Sequence, residues 1–268
     1  MIDNDKINDI LWKSDNDKQN HFEVMCRMLE SLNYSSHDFI LKGGTALMVC
    51  YGLDRFSEDI DLDSTNKNIE KYVDDFCKAN NYMYRKAKDT NTTKRFQIHH
   101  SENMKPLKVE ILYRQKQIDE TKTEILNGVC VYKINELFGM KMNAYNSRDK
   151  IRDLYDVVYI MKNFKERISL EKLDMFKDVL SYKGLEQFDY LIKTQKDELI
   201  NNEKLASDFL DVFDKLDLLD DYEIKYEKEL PVAHIQDEIF NAKKQVITKL
   251  ENSQSKTLHN THKKDKER

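Results

Sequence analysis

The chain has 268 residues, 40% hydrophobic and 35% charged, which describes a polar, water-facing protein long enough for one large domain or two modest ones. A net charge of -5 argues against a protein coated for nucleic acid, and no apolar run is long enough for a membrane-spanning helix. With two prolines and six glycines, long helices are expected rather than a loop-rich sandwich.

Met1 to Asn20 is polar with a short apolar group, Ile7, Ile10, Leu11 and Trp12, and lacks a charged-then-apolar leader, so a cytoplasmic location is expected. His21 to Leu32 carries a helical stripe of Phe22, Met25, Met28, Leu29 and Leu32. Phe39 to Leu41 reads as a short strand that runs into Gly43 and Gly44, then a helix over Thr45 to Tyr51 ended by Gly52, with Thr45 near its N-cap. Ser57 to Asp63 is an acidic strand, and Asn66 to Asn80 an amphipathic helix. Further strand-like pieces are Tyr82 to Arg85, Arg95 to His99, Lys108 to Tyr113 and Gly128 to Tyr132. From Ile134 the pattern turns helical: Ile134 to Asn146, Lys150 to Met161, Leu170 to Leu180, Leu185 to Ile200, Lys204 to Leu219 and Ala233 to Leu250. Strands in the first half and helices in the second give an α+β domain followed by a helical bundle. The expected division is 1–133, 134–250 and a Ser/Thr/Asn/Lys-rich tail over 251–268 expected to be disordered.

Cys26, Cys50, Cys77 and Cys130 are scattered without a Cys-x-x-Cys pair, which fits reduced core thiols rather than zinc or disulfides. From Lys78 to Lys116 there are ten Lys/Arg against three acids, a local anion-binding face within an acidic protein. Asp208, Asp211, Asp214, Asp217 and Asp220 recur every third residue, most simply a solvated helix face.

Two short features resist explanation as packing. Gly43-Gly44 before an apolar run makes a tight turn into a helix, where exposed N–H groups of Gly43, Gly44 and Thr45 form a cradle for phosphate. Asp59, Asp61 and Asp63 alternate with Ile60 and Leu62, so at strand periodicity the carboxylates share one face, where they repel one another unless cations neutralise them. Each alone reads as a turn or as an acidic edge that resists aggregation. Lys42 and Arg55 flank this region and could neutralise phosphate. In the helix Ile134 to Asn146, Lys141 falls inside the apolar stripe, where it either snorkels out or aims into an anion-holding cavity. In the next helix Arg152 and Asp156 are i,i+4 partners, and charges among so many apolar residues suggest a buried polar cluster.

Gly-Thr, thirteen residues, then Asp-Ile-Asp is similar to the pattern of the polymerase β-type nucleotidyltransferase superfamily. The fuller string Lys42-Gly43-Gly44-Thr45-Ala46-Leu47, followed by Arg55-Phe56-Ser57-Glu58-Asp59-Ile60-Asp61-Leu62-Asp63, resembles the AbiEii/AbiGii (MenT-like) toxin family. The resemblance covers Leu41 to Ile160. It implies a mixed sheet with flanking helices and a transfer of NMP from NTP to an acceptor hydroxyl. It also implies two magnesium ions, or manganese, on Asp59, Asp61 and a third carboxylate from a neighbouring strand, for which Glu110 is the candidate. The family's Lys-x-x-Ala segment fits Lys141 to Ala144 and gives Lys141 a triphosphate contact. Its final motif matches Arg152 to Asp156, where an aspartate supports the site and orients the lysine, so Asp153 and Asp156 stand between that role and a structural ion pair. Ser57 joins the nucleotide-binding set through the same string. The resemblance further implies a tRNA 3′ acceptor, arrested translation, phage defence or growth control, and an antitoxin encoded nearby. A small-molecule or protein acceptor, and a catalytically idle nucleotide-binding module, stay open as alternatives.

Overall fold

The computed structural model describes residues 15–35, 38–102, 104–114 and 117–219. Its elements run α1 (Asn16–Ser35), β1 (Phe39–Lys42), α2 (Gly43–Tyr51), β2 (Asp59–Ser64), α3 (Ile69–Asn80), β3 (Met83–Asp89), β4 (Thr93–His99), β5 (Leu107–Leu112), β6 (Thr123–Leu126), β7 (Val129–Tyr132), α4 (Ile134–Ser147), α5 (Ile151–Phe164), α6 (Leu170–Thr194) and α7 (Asn202–Asp214). The seven strands form one mixed sheet in the order β3-β4-β5-β2-β1-β7-β6. β2 with β5 and β1 with β7 are parallel, and the other neighbours are antiparallel. This is the α+β architecture expected from the order of strand and helix patterns. The described residues up to Leu218 belong to one compact unit. The helix expected over Ala233 to Leu250, the tail over 251–268 and the apolar group Ile7 to Trp12 lie outside the described residues.

Strand alternation gives the sheet two unlike faces. Ile60 and Leu62 of β2, Phe96 and Ile98 of β4, and Val109 and Ile111 of β5 are all at most 1% exposed. They share the side on which α3 lies. Phe39 meets Tyr72 of α3 edge-on, and Tyr84 of β3 meets Phe96. α1 packs against α3 and reaches β5 and β7. The other face carries the charged residues. α4 packs on α2, α5 on α4, and α7 on α5.

Several expected boundaries shift, each for a local reason. Thr45 is not the N-cap: α2 begins at Gly43, Lys42 holds the cap position, and Thr45 sits inside the first turn. Gly52 ends this helix as expected, in the left-handed conformation. β6 was not expected. It forms a hairpin with β7 through Asn127 (φ 52°) and Gly128 (φ 77°), an Asn-Gly pair suited to a two-residue turn with both φ positive. The two helices expected over Leu170–Leu180 and Leu185–Ile200 are present as the two halves of α6, which meet at a kink at Gly184, whose φ of 66° and ψ of -176° are not helical. The second half ends at Thr194, so 195–201 is a connection rather than helix. No disulfide joins the cysteines, and burial pushes the thiols of Cys26 and Cys50 up to about 12. Among the described residues no helix is long and apolar enough to cross a membrane.

Candidate active site

The register of β2 puts its acids where alternation requires. Asp59 lies opposite Lys108, Asp61 opposite Glu110 and Asp63 opposite Leu112 on β5, so Asp59, Asp61 and Glu110 share a face. The glycine turn closes against them. Gly43 has a φ of +78°, and a Cβ there would fall 2.8 Å from Asp61 Oδ2. A Cβ on Gly44 would fall 2.8 Å from Ser57 Oγ and 2.9 Å from Arg55 Nη2. Both positions therefore need a residue without a side chain. Thr45 Oγ1 donates to the carbonyl of Asp59 and lies 3.0 Å from Ser57 Oγ, which pins the start of β2 to the first turn of α2. His21 adds a second hold, its Nε2 lying 2.8 Å from the carbonyl of Glu58.

Each outer carboxylate has a cation beside it. Lys108 Nζ is 2.5 Å from Asp59 Oδ2, and Arg95 of β4 pairs with Glu110. Burial pushes the Asp61 carboxyl above the usual range, and the charges of Asp59 and Glu110 add to this against the pull of Lys108 and Lys141. Burial alone would lower the Lys108 ammonium, but the hydrogen bond and charge of Asp59 outweigh it and hold it up. Among the described residues no three acidic, histidine or cysteine side chains converge as they stand into a metal-binding group. Asp59 and Glu110 are turned to Lys108 and Arg95 instead. The donor chemistry nevertheless fits a hard divalent cation: three carboxylates on one sheet face, one of them costly to ionise without an added positive charge.

Asp63 shares the face but has another task. It is 7% exposed, pairs with Lys42, and accepts from Tyr132 Oη at 2.9 Å. Lys42 is thus engaged across β1 and β2, away from the pocket wall.

The opposite wall comes from α4, α5 and the connection after α6. Asp156 is fully buried and takes both Arg55 Nε and Nη2 at 2.6 Å, while Lys141 Nζ reaches it at 2.6 Å. Burial would raise the Asp156 carboxyl, but the charges and hydrogen bonds of Arg55 and Lys141 outweigh it and hold it below the usual range. Asp153, 2% exposed, takes Arg148 Nε at 2.8 Å and stands 3.7 Å from Lys141 Nζ. The i,i+4 pairing expected between Arg152 and Asp156 does not form. Arg152 instead pairs with Asp197 of the 195–201 connection and reaches Glu58 at 3.4 Å, because α5 turns Asp156 inward and Arg152 toward its neighbours.

These elements enclose a cavity of about 620 Å³. Gly44, Arg55, Ser57, Asp59, Asp61, Lys141 and Asp153 of the expected set all line it. Glu110 stands beside Asp61 on the sheet, Asp156 lies beneath Lys141 and Arg55, and Gly43 adjoins against Asp61, whereas Lys42, expected to bind nucleotide, is turned to Asp63 and does not line the cavity. Among the lining residues that sequence reasoning missed are the charged side chains of Arg148, Lys150, Lys196 and Asp197. It also missed Lys108, although its i,i+2 spacing from Glu110 would have put it on the same face.

A family model described as nucleotidyl transferase AbiEii toxin, type IV toxin–antitoxin system, matches residues 27–231. Among solved structures, the chain is similar to JHP933 of Helicobacter pylori, with 25% identity over 80% of this chain and 99% of that one and a TM-score of 0.62. It is also similar to a candidate nucleotidyltransferase of H. pylori, with 26% identity over 76% of this chain and 98% of that one and a TM-score of 0.61. No curated protein matches the chain significantly.

Proposed function

The chain belongs to the nucleotidyl transferase AbiEii toxin family of type IV toxin–antitoxin systems, and from that premise we propose that it transfers NMP from an NTP to an RNA hydroxyl, the 3′ end of tRNA, and so blocks translation in the cytoplasm. It is a nucleotidyltransferase, and its family carries an NTP substrate and an antitoxin counterpart. The observation that carries the reading is a single cavity with Asp59 and Asp61 on one side and Lys141, Arg148, Lys150 and Lys196 on the other. Acids alone repel a triphosphate and cations alone give it no reacting centre.

Asp59, Asp61 and Glu110 would hold divalent cations, with Mg²⁺ the natural choice for oxygen donors. When bound, such cations offset triphosphate charge and lower the pKa of the attacking hydroxyl. Everything else falls to the chain. The N–H groups of Gly43, Gly44 and Thr45 at the start of α2 face the phosphates, helped by the positive end of the helix. Ser57 supports that turn. Lys141, braced by Asp156 and Asp153, meets the β- and γ-phosphates at the back, and Arg55 is locked by Asp156 so that its charge stays beside Gly44. Lys42 acts at one remove, holding β1 to Asp63. The acceptor oxygen bonds to the α-phosphorus as the bond to the bridging oxygen breaks. Pyrophosphate leaves, and the hydroxyl proton passes to the carboxylate face. In this reading residues 1–133 form the nucleotidyltransferase core, and the helices from 134 on complete the site.

The test is incubation of the protein with total RNA and each labelled NTP in turn. Label should appear on tRNA-sized species, and periodate oxidation of the RNA 3′ ends beforehand should prevent it. Label on a small molecule or a protein, or none with any NTP, would overturn the reading.

A further inference from the structure

The cations of the 78–116 window that lie on β3, β4 and β5 divide by sheet face. Lys86 of β3 pairs with Glu70 of α3, and Lys94 of β4 donates to the Lys67 carbonyl, so these two are spent on the helix-covered side. Arg85, Lys88, Arg95 and Lys108 belong to the other face, as the strand register requires. Asp61, Glu110, Arg95 and Lys88 are successive partners across β2, β5, β4 and β3, and Asp59, Lys108, Gln97 and Arg85 form the next row. The side chains agree: Lys108 meets Asp59, Arg95 meets Glu110, and Arg85 donates to Gln97. Arg85 and Lys88 are exposed, and Lys88 makes no ion pair among the described residues. One step along, exposed His99 lies opposite Met83, which is 77% exposed.

Charge therefore changes sign in order along each row, from the carboxylates outward to unneutralised cations at the sheet edge. The rows span three strand spacings, roughly 14 Å. An edge strand protected only against aggregation needs lysines anywhere along its length. Here the free cations are continuous with the reacting centre, and an imidazole and a thioether lie beside them. We infer that this open face of β5, β4 and β3 is the track on which the acceptor RNA lies single-stranded. Arg85 and Lys88 hold its phosphates, His99 with Met83 stacks a base, and its 3′ hydroxyl is delivered to Asp59 and Asp61. This rests on the RNA-acceptor reading above and adds where that acceptor runs.

The experiment measures binding of the full-length protein to total tRNA and to a short single-stranded RNA over a range of salt. Arg85→Glu with Lys88→Glu should weaken binding at least about tenfold and lower the log–log salt slope by roughly 0.7 per lost contact, about 1.4 for the pair. Thermal unfolding and NTP binding should stay as in the wild type, and Arg85→Lys with Lys88→Arg should restore the slope. His99→Ala should weaken binding while keeping the slope, because stacking releases no counterions. RNA binding unchanged in the charge-reversed protein would overturn the track, as would a loss confined to an acidic protein partner. If the wild type transfers label to RNA and the charge-reversed protein does so equally well, the track fails and the RNA-acceptor reading stands. If the wild type labels no RNA, the earlier reading fails first.

Discussion

At Gly43 a methyl group would lie 2.8 Å from an oxygen of Asp61 and would have to adopt a φ of +78°. Gly43→Ala should therefore push the carboxylate or the turn out of place, and a displacement near 1 Å at a reacting centre costs on the order of a hundredfold in rate. Steady-state transfer kinetics beside a urea denaturation curve would separate this from unfolding, because an alanine held in the left-handed region costs about 1–2 kcal/mol, less than the roughly 5–15 kcal/mol that holds a native protein folded. Asp156 is the reverse case, with more weight on stability. Asp156→Asn leaves Arg55 a buried cation without its counter-charge and Lys141 with only the more distant Asp153, at a cost of about 3 kcal/mol or more. Its folded pKa is depressed, so the wild-type advantage is complete above the ordinary aspartate value of 3.8 and fades as pH falls through the folded value. Urea denaturation of both proteins from neutral pH down into that acid range should show the gap closing; a gap independent of pH would mean that the charge is not what stabilises. At this scale Asp59 and Asp61 were legible because a period of two assigns a face without any tertiary knowledge, whereas Glu110 was named only through the family resemblance, its place opposite Asp61 being a matter of strand register. Arg152 was misread because an i,i+4 rule sees only its own helix, whereas Asp197 lies 45 residues on. Nothing in the sequence marks Lys150 or Lys196 apart from the other surface lysines.

Among the elements, α6 shows what a single glycine does to a long helix. Its residues on both sides of Gly184 have helical patterning, so two helices were expected, and two helices do meet there, joined through one residue at φ 66° and ψ -176°. That region of backbone space is essentially restricted to glycine, and another residue there costs about 1–3 kcal/mol. Gly184→Ala should lower the unfolding free energy by that amount, read as a lower urea midpoint at an unchanged slope, while a neutral substitution would mean that α6 relaxes to a continuous helix at no cost. The end of α6 matters for the site, because Gln195 Oε1 accepts from the Ile151 N–H and its Nε2 donates to the Asp149 carbonyl. These bonds seat the connection carrying Lys196 and Asp197 against the start of α5. An apolar pattern reading through Ile200 hid that connection. The hairpin of β6 and β7 was hidden differently: Asn127-Gly128 is a strong turn signal, but the strand before it, Thr123 to Leu126, is short and little alternated.

Across the whole molecule the sequence order of strands then helices became the two walls of the cavity. The sheet supplies the acids and the glycine turn, and the helices supply the cations. Arg152 joins the two walls directly by touching Glu58 on one and Asp197 on the other. The fold class was readable because patterning averages over many residues. The closeness of the walls was not, since it depends on contacts between residues about a hundred positions apart, such as Arg55 with Asp156. In the proposed reading, joining acids to cations in one cavity is what would make the site a nucleotidyltransferase centre rather than two charged surfaces. The most direct measurement is transfer of labelled NMP to RNA by the wild type, Asp59→Asn and Asp61→Asn, with melting curves to show that all three are folded. Transfer should fall by on the order of 10² to 10³ in each variant. Undiminished transfer in either folded variant would contradict the assignment of that carboxylate to the reacting centre.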